Sequence, residues 1–369
     1  MDYTHDFDTA VQTFVLTDLP ASTPADAEFF LKTGLEGWQT GHSELKFEGR
    51  TLRRAYPIGT LLSFKVSRDV PGSEEGDAWG QRRPDRCQVV TGDATHELSV
   101  QSWMDSPLSE RPSTLSAQTS LLNVHSPELG DEFAVLVWQP PQAKTAGQRF
   151  PVLYLHDGQN VFDQATAFAG RTWKAAEAAQ ALAEAGLPCI LVAVTVRDAH
   201  RGSDYVPFEI AANGFHSSAA EYQAFLTGTL KLLIDARFPT WPDARHTAQA
   251  GSSFGGVASV YGGLSRPDVW GSIGAFSPSV WVQDSGLLAW SEQHPAPHTR
   301  VYVDMGDHEG TFTADAARLV NLTRWLAARL RQHVQDVVLT IGEGHWHNED
   351  AWAARFPGFL RWWLEGLLD

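Results

Sequence analysis

Ser253 lies at the centre of Gly251-Ser252-Ser253-Phe254-Gly255, a G-x-S-x-G pattern with an extended run before it and a helix-compatible run of small and apolar residues after it. A serine on a sharp strand-to-helix turn takes strained backbone angles, and flanking glycines remove the Cβ clashes that would forbid such a turn. The first N–H groups of the following helix then converge where an oxyanion would form. A hydroxyl is a weak nucleophile by itself. It needs a base to take its proton and an acid to orient that base. Two downstream stretches supply candidates. Val301-Tyr-Val-Asp-Met-Gly-Asp-His-Glu-Gly310 holds three carboxylates, and Leu339-Thr-Ile-Gly-Glu-Gly-His-Trp-His-Asn-Glu349 holds two histidines. Asp307, His308, Glu309, His345 and His347 could alternatively ligate Zn²⁺. No HExxH helix or other zinc signature accompanies them, and a metal would leave the elbow unexplained. We therefore expect neither metal nor cofactor.

The elements that would position these groups follow from patterning. The first hundred residues read as short β-runs (13–19, 28–31, 61–66, 96–103) broken by Pro, Gly and Asp clusters, which suits a small all-β sandwich. Residues 105–116, with two prolines and four serines, read as linker. Beyond them, strand-like runs (120–124, 134–138, 151–155, 190–195, 272–276, 301–305, 337–341) alternate with helical ones (172–185, 219–236, 313–332, 350–368). That alternation predicts a mostly parallel sheet with helices on both faces. The domains expected are thus 1–104, a linker at 105–117, and an α/β domain at 118–369. Both candidate loops fall at strand C-terminal ends, where open α/β sheets place their sites. The chain order Ser, carboxylate, His is that of α/β-hydrolases.

Composition narrows the remaining classes. The chain has 369 residues, 43% hydrophobic and 20% charged, enough for a sizeable core. No segment approaches the roughly 18 apolar residues of a membrane span. The acidic start Met-Asp-Tyr-Thr-His-Asp-Phe-Asp lacks the layout of a signal peptide, so a cytoplasmic location is expected. A net charge of −16, without basic patches, argues against nucleic acid and anionic lipid as partners. Cys87 and Cys189 lie far apart without metal-ligand spacing. Cys189 opens an apolar run and reads as a core residue, so a disulfide is not expected.

Four ordered pieces resemble the enterochelin-esterase-like, or esterase D-like, esterases of the α/β-hydrolase superfamily. They are Val152-Leu-Tyr-Leu-His-Asp-Gly-Gln-Asn-Val-Phe-Asp163, Trp173 with the stretch 197–207, the elbow 251–256, and His347-Asn-Glu-Asp-Ala-Trp352, which matches an H-N-E-x-x-W ending. Where the family carries another acidic residue before Tyr205, this chain has Asp204. The resemblance covers roughly residues 118–369. It implies Ser253 as nucleophile and His347 as general base, with His345 as a competitor. The acid it implies lies three residues after Gly306, at Glu309, with Asp307 as a close rival. The oxyanion hole would use the N–H of Phe254 and one from Gly158 or Gln159. The N-terminal block resembles the E-set, immunoglobulin-like modules found beside glycan-active enzymes and some esterases, through Thr23-Pro24, Phe29–Trp38 and Gly59–Arg68, with Glu36 where that family usually has Asn.

The implied function is hydrolysis of a small-molecule carboxylic ester through an acyl-serine. Members of the resembling group act on siderophore trilactones, feruloyl and acetyl-sugar esters, and thioesters, and acyl transfer to a sugar is a further possibility. An N-terminal sandwich favours the siderophore-esterase architecture, in which that module can lie over the site. The abundance of tryptophan (Trp173, Trp281, Trp346) suits an aromatic or sugar-bearing ester. A non-enzymatic alternative is glycan binding through the N-terminal module, with Trp38 on its binding face.

Overall fold

The computed structural model describes residues 8–68, 70–106, 109–208 and 216–368. Residues 1–7, which bear on the leader expectation, and 107–108, within the expected linker, lie outside them. The chain divides into two compact units. One comprises Met1–Ser113, Phe168–Arg171 and His308–Ala317, and the other Thr114–Ala167, Thr172–Asp307 and Arg318–Asp369.

The first unit is built from short strands: β1 (Thr9–Leu16), β2 (Phe30–Thr33), β3 (Thr51–Pro57), β4 (Leu61–Ser67), β5 (Glu75–Gly76), β6 (Arg86–Val89), β7 (Ala94–Leu98) and β8 (Ser102–Trp103). They form two three-stranded sheets, β3-β1-β7 and β2-β4-β6, and a β5-β8 ladder. β1 runs antiparallel to β3 and parallel to β7. Phe14, Leu62, Phe64 and Trp103 close its core.

The second unit contains β9 (Thr119–Ser126), β10 (Asp131–Trp138), β11 (Val152–Leu155), β12 (Ile190–Val194), β13 (Thr247–Ser252), β14 (Ser272–Phe276), β15 (Ala296–Gly306) and β16 (Val334–Gly342). They make one eight-stranded sheet in the order β16-β15-β14-β13-β11-β12-β10-β9. β10 runs antiparallel to both of its neighbours, β9 and β12, and all other pairings are parallel. The helices are α1 (Ala175–Glu184), α2 (Arg201–Tyr205), α3 (Ala219–Phe225), α4 (Lys231–Arg237), α5 (Phe254–Ser265), α6 (Val282–Glu292), α7 (Thr313–Leu330) and α8 (Glu349–Glu365). A π-helical turn over Leu226–Leu230 joins α3 to α4, so the helix expected across 219–236 runs on with one widened turn.

Strand alternation sends successive residues to opposite faces. Leu153 and Leu155 pack with Ala175, Ala179, Phe356 and Phe359 of α1 and α8. Val152 and Tyr154 pack instead with Tyr222, Phe225 and Leu230 on the other face. Each buried Leu, Val or Phe among them contributes on the order of 1.5–3 kcal/mol. Among the described residues, no helix is long and apolar enough to cross a membrane.

The order matters for chemistry. β11 is flanked by β12 on one side and β13 on the other, so the chain changes direction across the sheet at β11. A crevice opens at the carboxyl ends of strands flanking such a switch point. The loops that leave β11 and β13 carry His156–Asn160 and Ser253.

Candidate active site

Ser253 is the N-cap of α5 and holds φ 59° and ψ −121°, a strained combination for a residue with a Cβ. Hydrogen bonds fix it there. Its N–H donates to the Phe276 carbonyl at 2.9 Å, and its own carbonyl accepts from Gly256, Val257 and Ser279 at 3.1–3.2 Å. Glycine is required beside it. A Cβ on Gly251 would stand 2.8 Å from both the Gly255 carbonyl carbon and His156 Cδ2. The hydroxyl is half-buried and lies 3.3 Å from Ser279 Oγ. Phe254 begins α5, so its N–H is among those left without an intrahelical acceptor.

The loop after β11 abuts this turn. His156 N–H bonds the Ala250 carbonyl at 2.9 Å, and a Cβ on Gly255 would meet His156 Cβ at 3.3 Å and Asp157 Oδ2 at 3.5 Å. Asp157 has φ 53°, which swings Gly158 tight against the β12 backbone. A Cβ on Gly158 would lie 2.6 Å from the Ala193 carbonyl carbon. Gln159 Oε1 accepts the Val196 N–H at 3.1 Å, tying the loop to the end of β12. The structure therefore sets His156 and Asp157 against the turn that carries Ser253, with Gly158 and Gln159 next along the same loop.

Charged and buried groups brace that neighbourhood. Arg201 donates twice to Asp157, at 2.8 and 2.7 Å, and its guanidinium sits 5.5 Å from the Phe254 ring centre. Burial alone would lower the Arg201 pKa, but the hydrogen bonds and charge of Asp157 outweigh it and raise it. His156 is buried with Nδ1 2.9 Å from Tyr222 Oη, and burial pushes its pKa down to about 4, so it stays neutral. Glu349, in the first turn of α8, is buried and 3.4 Å from Asn160 Nδ2. Burial pushes its carboxyl up to about 7. Asp157 and Asp350 add to the rise, and His347 opposes it.

The histidine loop follows β16. Asp307, just past β15, accepts the Gly344 N–H on Oδ1 at 2.7 Å and donates its own N–H to the Gly342 carbonyl at 3.0 Å, which pins the loop's start. Asn348 caps α8 by accepting the Ala351 N–H at 3.0 Å. Between these anchors His347 is exposed, its ring edge-on to Trp352 at 5.1 Å. His345 Nδ1 is 2.8 Å from Arg355 Nη1. Glu309 belongs to the residues that cluster with the first unit, and its side chain is buried.

Beneath the loop lies a polar network that sequence reasoning missed. Arg355 of α8 donates to both oxygens of Asp304 at 2.8 and 3.1 Å, and to Ser277 Oγ at 2.9 Å. Trp352 Nε1 donates to the same Ser277 Oγ at 3.0 Å, and the Ser277 N–H donates to Asp304 Oδ1 at 2.9 Å. Asp304 and Arg355 are both buried. The network thus joins the histidine loop to residues 277–279, which touch Ser253. A signal existed, since a lone carboxylate inside the apolar strand Val301–Met305 demands a cationic partner.

A family model described as "Putative esterase" matches residues 126–363. The chain belongs to this esterase family of the α/β-hydrolase superfamily. The esterase is 22% identical over 235 residues to YbbA of Bacillus subtilis, covering 61% of this chain and 90% of that protein. It is 31% identical over 160 residues to the siderophore triacetylfusarinine C esterase of Aspergillus fumigatus, covering 42% of this chain and 51% of the relative. Its fold is similar to that of the enterobactin esterase FES of Shigella flexneri, with TM-score 0.60 and 15% identity over 97% of this chain and 92% of that one.

The three tryptophans expected to face substrate separate in the structure. Trp173 is 3% exposed and packs on Phe276, Trp352 and Phe356. It lies in the core cluster shared by α1, α8 and the sheet. Trp281, at the start of α6, is 49% exposed, and Trp346 is half-buried. Among the described residues, no group of three His, Cys, Asp or Glu side chains could hold a metal ion.

Proposed function

We propose that this esterase works by a serine mechanism, with Ser253 as nucleophile, His347 as general base and Glu309 as the acid that orients the imidazole. Asp307 is the alternative acid, because it binds the start of the histidine loop. The observation that carries the reading is the strained Ser253 backbone at the head of α5, held by the Phe276 carbonyl and preceded by Gly251, where a Cβ would stand 2.8 Å from the Gly255 backbone. His347 takes the hydroxyl proton as Ser253 attacks the ester carbonyl. The N–H of Phe254 and one from Gly158 or Gln159 receive the oxyanion, each such donor being worth about 3 kcal/mol. The alcohol leaves with the proton, and water hydrolyses the acyl-serine.

For substrate we propose a siderophore-type ester. The names of the Aspergillus and Shigella relatives support that choice, as does the β-rich first unit, which we read as the E-set module. Exposed Trp281 is compatible also with a feruloyl or acetyl-sugar ester, or with transfer to a sugar acceptor. Turnover of p-nitrophenyl acetate by Ser253→Ala tests the nucleophile, with loss of nearly all activity and an unchanged fold expected. Retained activity would remove Ser253 from the mechanism. A panel of catecholate-serine, feruloyl and acetyl-sugar esters ranks the substrates by kcat/KM.

A further inference from the structure

The first unit contains a cavity of about 200 Å³ that the esterase reading does not use. Its size is below the roughly 300–1,000 Å³ of sites for drug-sized ligands, so it suits a single ring with few substituents. Three cations line it (Lys32, Lys65 and Arg82) against two carboxylates (Glu74 and Asp85). The lining is therefore formally positive in a chain whose net charge is −16. The two lysines are nearly buried, and each is ion-paired, Lys32 with Glu74 at 2.6 Å and Lys65 with Asp85 at 2.8 Å. Arg82 is exposed, and no ion pair of its side chain is found among the described residues. It remains available to a ligand's negative group.

Aromatic faces accompany these cations. The Lys65 ammonium lies 5.2 Å from the Trp38 ring centre, and the Arg82 guanidinium 5.1 Å from that of Phe168. Both rings are substantially exposed, at 36% and 52%. Trp38 also holds φ 62°, a region that bulky side chains avoid. Strain of this kind persists where the surrounding structure over-determines it, often at ligand sites. Here it presents a large, partly exposed apolar ring to a charged cavity.

We propose that this cavity binds a small single-ring aromatic anion, such as an aryl carboxylate, with the ring on Trp38 and Phe168 and the negative group on Arg82. Planar π-faces beside cations select a flat ring, and the exposed Arg82 guanidinium selects a negative charge in a fork geometry. Calorimetric titration of the full chain with benzoate tests this. Cyclohexanecarboxylate (charge without planarity), benzamide (ring without charge), inorganic phosphate and maltose serve as competitors in class. Saturable benzoate binding is expected, weakened about tenfold or more by Arg82→Gln, on the scale of one charged hydrogen bond. Trp38→Ala should weaken it comparably, and each control ligand should bind at least tenfold more weakly than benzoate. Arg82→Gln changes an exposed side chain, so it keeps the test valid even if Trp38→Ala perturbs folding. Three results would overturn the proposal: no benzoate binding, benzoate binding that survives Arg82→Gln, or phosphate or maltose binding as tightly as benzoate.

Discussion

Glu349→Gln should stabilise the protein in a strongly pH-dependent way. The carboxyl is buried at the start of α8 with Asn160 as a hydrogen-bond donor, and its pKa rises from 4.5 to about 7. Folding therefore favours its protonated form. Below pH 4.5 the group is protonated in both the folded and the unfolded chain and costs nothing. As pH climbs, the unfolded chain releases this proton first, and stability falls until the folded group also ionises near pH 7. The full difference is about 3 kcal/mol, at 1.36 kcal/mol per pKa unit. Glutamine is a neutral isostere that can still accept from Asn160, so the variant escapes that loss. Denaturant unfolding, followed by tryptophan fluorescence at pH 4.5 and pH 8, measures it. The stability gap between variant and parent should widen in the variant's favour by about 3 kcal/mol between those pH values. A gap that stays constant within about 0.5 kcal/mol would refute the burial argument.

Other substitutions probe the remaining contacts. Arg355→Met should destabilise by about 3–5 kcal/mol, because it leaves the buried Asp304 carboxylate uncompensated, whereas the double variant Asp304→Leu/Arg355→Met should cost less in a thermal melt. Gly158→Ala should cut esterase turnover by tenfold or more, since its Cβ would strike the Ala193 backbone and displace the loop; unchanged kcat would remove that loop from the oxyanion site. Phe254→Ala should leave kcat within about tenfold of the parent, because the proposed donor is a main-chain N–H. Glu309→Gln and Asp307→Asn, compared by kcat, separate the two acids: loss of an orienting acid costs about 10⁴-fold in the serine-protease case, and we expect that loss at Glu309.

Much of the α/β unit was legible because its core strands are continuous apolar runs. The run 272–276 coincides with β14, and 190–195 overshoots β12 by one residue. Edges were harder to read. β15 starts at Ala296 rather than 301, because His298, Thr299 and Arg300 look like loop while their backbone belongs to a strand beside β16. In the first unit β1 spans Thr9–Leu16 rather than 13–19, ending ahead of Asp18 and Pro20. The segments Phe168–Arg171 and His308–Ala317 cluster with that unit although they lie far from it in sequence, which no local pattern encodes. At the site, spacing located the elbow and the two loops. It could not reveal that Asp157 is matched by Arg201 forty-four residues later, or Asp304 by Arg355, because long-range charge pairs leave no periodic trace. Trp173 shows the same limit. Its residue type fits a binding face as well as a core, and only packing separates the two.

The central claim is that an ester's acyl group passes through Ser253, and trapping that intermediate tests it most directly. The protein is mixed with p-nitrophenyl acetate, acid-quenched within the first turnovers and digested, and the peptide spanning residues 251–256 is weighed by mass spectrometry. The account predicts one acetyl group on Ser253, absent from Ser253→Ala. Steady turnover with no acyl adduct, or an adduct on a different side chain, would contradict it.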